Sequence, residues 1–149
     1  MISGRNGRTR SAARAVAPAL LAAVFATGCG SSPEELEALK SEPMASAEFD
    51  GLNLIRSHER DAKGSDDTVT GKTVDAQITR VFEPEDAQKL PDSFTQVVDQ
   101  AAGDGWERKF SSATSYTGEK AIDDGTGQIQ VVLSPCEDQT CLYLYLTIS

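Results

Sequence analysis

Three cysteines and one histidine are the residues of this 149-residue chain whose side chains are best suited to nucleophilic, redox or metal chemistry. Cys136 and Cys141 have four residues between them. This spacing is neither the C-x-x-C of thiol–disulfide enzymes nor half of a zinc site, because no second Cys/His pair exists. The single histidine, His58, lies in a polar stretch with no nucleophile fixed beside it. We therefore predict no catalytic residues, no metal ligands and no cofactor, and expect a protein that is not an enzyme.

Cys29 follows a segment with the layout of an export signal. Four arginines between positions 5 and 14 are followed by the apolar stretch 15–26. The run Ala26-Thr27-Gly28-Cys29 resembles the lipobox of bacterial lipoproteins, in which the cysteine thiol receives a diacylglyceryl group before cleavage on its N-terminal side. The resemblance implies a signal peptide over 1–28 and a mature chain that begins at lipidated Cys29. Its location would be the cell membrane, on the extracytoplasmic side.

Two alternatives remain for this segment: a plain secretory signal or an uncleaved membrane span. The apolar run is shorter than the ~20 residues that a spanning helix needs, which argues against the span. A plain signal would leave Cys29 as an odd free thiol outside the cell. A lipid with two or more acyl chains holds a protein stably, at ~0.8 kcal/mol per buried methylene.

The charge of the expected mature chain limits its partners. Removal of 1–28 leaves ten Lys and Arg against 23 Asp and Glu, a formal charge of −13. Such a chain does not favour nucleic acid, and it is repelled by anionic headgroups, so the domain should stand off the membrane. The partners expected are the membrane, through the lipid on Cys29, and an envelope protein.

Cys136 and Cys141 form an even pair once Cys29 carries lipid, and an exported domain meets an oxidising compartment. We predict a disulfide between them. Closing so short a loop contributes only about 2 kcal/mol in the chain-entropy description, so the bond pins a turn.

The mature chain divides into a tether over 29–47 and one small domain over 48–149. Ser32 and Pro33 can start a short helix, but its few apolar residues predict a spacer. Residues 49–55 favour an edge strand or a packed loop. The polar segment 56–72 is long for a loop, and such loops are either mobile or functional.

Hydrophobic periodicity predicts the core elements. Alternation over 74–82 indicates a strand, with Arg80 as the exception on its apolar side, and the apolar spacing over 94–102 indicates a helix. Trp106 should fold back over the last turn of that helix. Period two then predicts a strand over 108–116, a second start at 120–122, and a final antiparallel hairpin formed by 129–133 and 142–148.

These elements predict an α+β fold: one amphipathic helix packed on one face of a mainly antiparallel sheet of about four to five strands, with a C-terminal disulfide-stapled hairpin. Their order resembles that of small lipoproteins of high-GC Gram-positive bacteria that have no assigned activity. The resemblance covers residues 73–149 and depends on Gly105-Trp106 and the terminal cysteine hairpin. It implies fold and location, not a reaction.

The face opposite the helix should carry Val132, Tyr143 and Tyr145 among polar neighbours. These tyrosines either stand on a solvated sheet or form an interaction face, for which tyrosine is well suited. The acidic runs 83–86 and 123–127 lack the regular spacing of a calcium loop and favour turns. We therefore expect a non-catalytic protein-interaction module. The alternative is a small-ligand carrier with a pocket between helix and sheet.

Overall fold

The computed structural model describes residues 33–62 and 75–149. The described part does not include the predicted signal peptide, Cys29, or residues 63–72 of the loop predicted over 56–72. Within the described part, no helix is both long enough and apolar enough to cross a membrane.

The described chain forms three α-helices, one 3-10 turn and six strands. Their bounds, in chain order, are α1 Pro33–Lys40, α2 Pro43–Ser46, β1 Leu52–Arg60, β2 Ala76–Pro84, the 3-10 turn Ala87–Lys89, α3 Leu90–Gly103, β3 Glu107–Ser111, β4 Ser115–Ile122, β5 Gly125–Cys136 and β6 Gln139–Ile148.

All six strands belong to one antiparallel sheet in the order β1-β2-β6-β5-β4-β3. Strands β3 to β6 follow one another as a meander, while β6 returns to pair with β2. Side chains from all three helices join the inward side chains of the sheet in one buried cluster. The predicted α+β class, the antiparallel sheet and the Cys136–Cys141 disulfide are confirmed, but the sheet has more strands than the four to five predicted.

The stretch predicted as a single strand over 108–116 is a hairpin, and the separate strand start predicted at 120–122 is the end of its second strand, β4. Residues 112–114 turn the chain between β3 and β4. The Ser112 amide donates to the Ser115 carbonyl at 2.7 Å, and the Ser115 amide donates to Ser112 Oγ at 3.1 Å. The Ser112 hydroxyl thus accepts a hydrogen bond in place of a neighbouring strand. The alternation of apolar and polar residues along the sequence does not reveal a turn of this kind.

The segment 49–55 contains the start of edge strand β1, which was one of its two predicted alternatives, and β1 then extends through residues assigned to the loop 56–72. Residues 56–60 pair with β2, so the predicted loop is wrong over these five positions. Every residue of β1 after Leu52 is exposed. An edge strand with both faces in solvent needs no apolar alternation, and so it lacks the pattern on which strand prediction depends.

The predicted tether is wrong over residues 33–47, which are part of the folded domain. Leu36, Leu39 and Met44 are buried in the core. Burial of such a side chain contributes roughly 1.5–3 kcal/mol, which compensates for the weakness of a helix as short as α1. Since a helix of this length is unstable alone, the contacts with the sheet decide whether it forms.

The contacts of Arg80 explain why a charged side chain occupies an inward position in the apolar pattern of β2. It is only 5% exposed, on the core side of the sheet, and Nη1 donates to the Ala47 carbonyl at 2.6 Å. Its guanidinium lies 4.9 Å from the centre of the Phe82 ring. Burial lowers the pKa of Arg80, and nearby Glu48 partly opposes this change. The arginine fastens the segment after α2 to the sheet.

The helix predicted over 94–102 is α3, and it ends in the glycine motif expected there. Gly105 has φ +91°, its amide donates to the Ala102 carbonyl at 3.2 Å, and the Trp106 amide donates to the Ala101 carbonyl at 3.1 Å. This pair of bonds is a Schellman motif, which reverses the chain. Trp106 therefore turns back into the core, as predicted, and is 2% exposed.

Trp106 lies over two glycines on neighbouring strands. A Cβ placed on Gly118 would lie 3.2 Å from Trp106 Cβ, and one on Gly127 would lie 3.2 Å from Trp106 Cη2. The Tyr116 hydroxyl donates to the Trp106 carbonyl at 3.2 Å. The absence of side chains at 118 and 127 gives the indole its space between α3 and the sheet.

Candidate interaction surface

Strand register determines which face of the sheet carries Tyr143 and Tyr145. Directly opposed residues on antiparallel strands share a face, and alternate residues along a strand share one too. The inward face carries Leu142, Leu144 and Leu146, which are fully buried. The other face is called the open face here. Its central residues are Thr79, Val81, Gln130, Val132, Tyr143 and Tyr145.

Tyr143 and Tyr145 form a stacked pair at the centre of the open face. Their ring centroids lie 6.2 Å apart with an interplanar angle of 12°. Both side chains are half-buried against the sheet. The Tyr143 hydroxyl donates to the Pro135 carbonyl at 3.4 Å. The pair presents two flat rings whose hydroxyls can each donate and accept a hydrogen bond.

Burial raises the pKa of Tyr145, and the neighbouring Tyr143 raises it further. Like an ordinary phenol, that of Tyr145 keeps its proton at neutral pH, and its raised pKa extends the protonated form to higher pH. In this form it can donate a hydrogen bond to a partner and contributes no negative charge to the open face.

A cleft of about 550 Å³ adjoins Tyr143 at the end of the sheet that holds the disulfide. It is called the hairpin cleft here. Its apolar lining includes Ile55 and Val81, and its charged lining consists of Arg56 and the three acids Glu83, Glu137 and Asp138. Gln139 Nε2 donates to Glu83 Oε2 at 3.2 Å, which links the hairpin to β2. The cleft therefore combines apolar contact area with groups of both charges.

Ile55 and Arg56 are the members of this surface that sequence analysis missed. The register between β1 and β2 shifts between Leu54 and Arg56, which is a bulge at Ile55. Ile55 and Leu54 are both 48% exposed. Bulges bend an edge strand and redirect its side chains. Only pairing with β2 defines this bulge, and the sequence around Ile55 carries no glycine or proline that could have indicated it.

The disulfide closes the wall of the hairpin cleft. The Cys136 and Cys141 Cα atoms are 5.7 Å apart, and Cys136 is paired directly with Gln139. Glu137 and Asp138 form the two-residue turn between β5 and β6, and Glu137 has φ +47°. The bond holds the two strand ends together where the sheet has few other neighbours.

His58 lies on β1, opposite Thr79 on the open face. Its register neighbours on the same side are Arg56 and Arg60. None of these three side chains forms a hydrogen bond or an ion pair with another described residue. Among the described residues, no serine or cysteine nucleophile is in bonding contact with His58.

The space between α3 and the sheet, where the ligand-carrier alternative places a pocket, is occupied by core side chains. Phe94, Val97 and Ala101 of α3 are buried in the same cluster as Ile129 and Val131 of β5. A shallower cleft of about 330 Å³ lies at the edge, between α3 and β3. The ligand-carrier alternative stays a prediction.

The acidic runs lie in turns. Asp123 and Asp124 connect β4 to β5, and Asp86 Oδ1 accepts a hydrogen bond from the Gln88 amide at 2.9 Å. Within residues 33–62 and 75–149, no group of three or more His, Cys, Asp or Glu side chains is arranged to hold a metal ion.

Comparison of the chain with protein-family models, with curated proteins and with solved structures finds no match.

Proposed function

We propose that this chain is a non-catalytic envelope module, anchored to the outer side of the cell membrane through lipid on Cys29, that binds another envelope protein with its open face. The stacked pair of Tyr143 and Tyr145 is the observation that carries the binding part of the proposal. No described helix covers this pair. The anchoring part depends on the lipobox-like run that ends at Cys29.

Three properties of the open face support a protein partner. The tyrosines present large, rigid contact area at a small cost in side-chain entropy, and such residues are enriched at interfaces. Next to them, the hairpin cleft offers Ile55 as an exposed apolar contact and Arg56 as a cation without a bonded partner among the described residues. A partner with an apolar side chain for Ile55 and a carboxylate for Arg56 would fit these two groups, while Glu83, Glu137 and Asp138 of the same cleft favour a cation next to them.

We assign no catalytic residue because each cysteine side chain is assigned to another bond and the histidine lacks a partner in the described chain. Cys136 and Cys141 are consumed in the disulfide, and Cys29 is assigned to lipid. His58 lies on an exposed edge strand with no bonded partner in the described chain. General acid–base catalysis needs such a group within hydrogen-bond reach of a second one.

Crosslinking on intact producing cells tests the partner. A photoreactive residue at Val132, beside Tyr143, should capture one defined neighbour that mass spectrometry can identify. The variant with Tyr143→Ser and Tyr145→Ser should lose this capture. Leu54→Ser is the control, because it removes an exposed apolar side chain from the opposite face. Unchanged capture by the double variant would contradict the assigned surface.

Lipid labelling tests the anchor. Cys29→Ala should abolish incorporation of labelled fatty acid and leave precursor or shed protein. Labelling and membrane retention that persist in Cys29→Ala would contradict the assignment.

A further inference from the structure

The link between the proposed lipid site and the folded domain is very short. Helix α1 begins at Pro33, four residues after Cys29. An extended chain advances at most ~3.3–3.6 Å per residue, so four residues span about 14 Å. The start of α1 must therefore lie within that distance of the lipidated residue.

The start of α1 belongs to one particular end of the sheet. Glu34 and Glu35 line a common cleft with Asp123 and Asp124 of the β4–β5 turn. These four acids define the proximal end. Burial of Leu39 against the sheet fixes α1 there, so the proximal end cannot move away from the link while the domain stays folded.

The disulfide hairpin lies at the other end of the same strands. Strand β5 runs without interruption from Gly125, next to the proximal end, to Cys136. At ~3.3 Å per residue, eleven steps along a strand cover about 36 Å. The hairpin cleft and Tyr143 are therefore far from the link.

Electrostatic repulsion between the acidic domain and the anionic membrane surface favours one orientation of the domain on this link. Acids close to an anionic leaflet are repelled by it, and this repulsion decays over a Debye length of ~8 Å at physiological salt. A link of at most about 14 Å lets the proximal acids withdraw beyond the Debye length, yet keeps them the part of the domain nearest to the lipid. A domain lying on its side would bring further acids of this −13 chain to the surface.

We infer that the domain stands end-on at the membrane, with the β4–β5 turn facing the lipid and the disulfide hairpin with its cleft facing away from it. This inference deepens the proposed function and depends on the lipidation of Cys29. It places the binding surface where a partner in the envelope can reach it, and it assigns the proximal end to the lipid surface.

Site-specific photocrosslinking in membranes of producing cells tests the orientation. Asp124 and Asp138 are matched positions, since each is the second residue of a two-residue hairpin turn at opposite ends of β5. A benzophenone amino acid at 124 should form lipid adducts several-fold more often than the same group at 138. Equal lipid adducts at the two positions would overturn the inference.

Mass spectrometry of the same samples separates the two proposals. Lipid on Cys29 together with equal crosslinking would overturn the orientation and leave the anchor intact. Cys29 without lipid would overturn both.

A longer link provides a second, independent variant. Insertion of a flexible Gly/Ser segment of about twelve residues after Ser32 raises the root-mean-square reach to about 22 Å. The difference between positions 124 and 138 should then shrink toward equality. A preference that persists at full size would contradict the role of the short link.

Discussion

The Lys120 ammonium lies 2.7 Å from Glu42 Oε2 and joins the segment between α1 and α2 to strand β4. The two side chains are only 26% and 12% exposed. The same ammonium lies 5.8 Å from the centre of the Trp106 ring. This contact connects residues 78 positions apart in the chain and lies next to the Trp106 ring.

Removal of one member of this pair should destabilise the domain. Lys120→Met leaves the carboxylate of Glu42 largely buried without its partner, and we expect a loss of about 1–3 kcal/mol in the free energy of unfolding. Urea denaturation measures it. Lys109→Met is the control: the Lys109–Glu119 pair has a longer 3.4 Å separation and greater exposure, and should contribute much less to stability. Equal losses would contradict the assigned role of Lys120.

Two glycines near the end of α3 should respond oppositely to alanine. Gly105→Ala forces a Cβ into a conformation with φ +91° and should lower stability by about 1 kcal/mol. Gly103→Ala adds a Cβ with no atom within 4 Å, inside the helix, and should be neutral or slightly stabilising. Thermal unfolding of the two variants compares them directly. A Gly105→Ala protein as stable as Gly103→Ala would rule out the motif that turns Trp106 into the core.

High pH should weaken the fold in part through Tyr145. Its pKa is raised above the ordinary value of 10.0, mainly by burial, so the unfolded chain loses this proton first. Stability is then full below pH 10 and falls as the pH rises from there toward the folded pKa. Urea unfolding at pH 9 and pH 11 measures the loss. Tyr145→Phe should reduce it, while the buried Tyr116, whose pKa is also raised, retains its share. An unchanged pH dependence in Tyr145→Phe would contradict this.

Loss of the disulfide should loosen the hairpin without unfolding the domain. Replacing Cys136 and Cys141 by Ala should cost about 2 kcal/mol, because the loop that the bond closes is short. Hydrogen exchange should rise at residues 136–140, while Leu144 and Ile129 in the core stay protected. Global unfolding of the double variant at room temperature would show that the bond does more than pin the turn.

The candidate surface was predicted only in part. Alternation along β6 separates Tyr143 and Tyr145 from the inward leucines, so their common face follows from the sequence. Ile55 and Arg56 join them only because β1 pairs with β2 through a bulge. A bulge is a property of two strands together, and neither strand alone encodes it.

Local pattern by itself determined the elements that bury a continuous apolar face: β2, α3, β5, β6, and the cysteine pair that closes the last hairpin. Their periodicity records burial directly, because each apolar position must face the core. Tertiary structure alone decided the rest. Helix α1 is too short to form without the sheet, and β1 has no buried face that would leave an apolar pattern in the sequence. The lack of a side chain at Gly118 and Gly127 is explained only by the position of Trp106 over them. In each case the stabilising contact comes from residues distant in the chain, so no local window of sequence contains it.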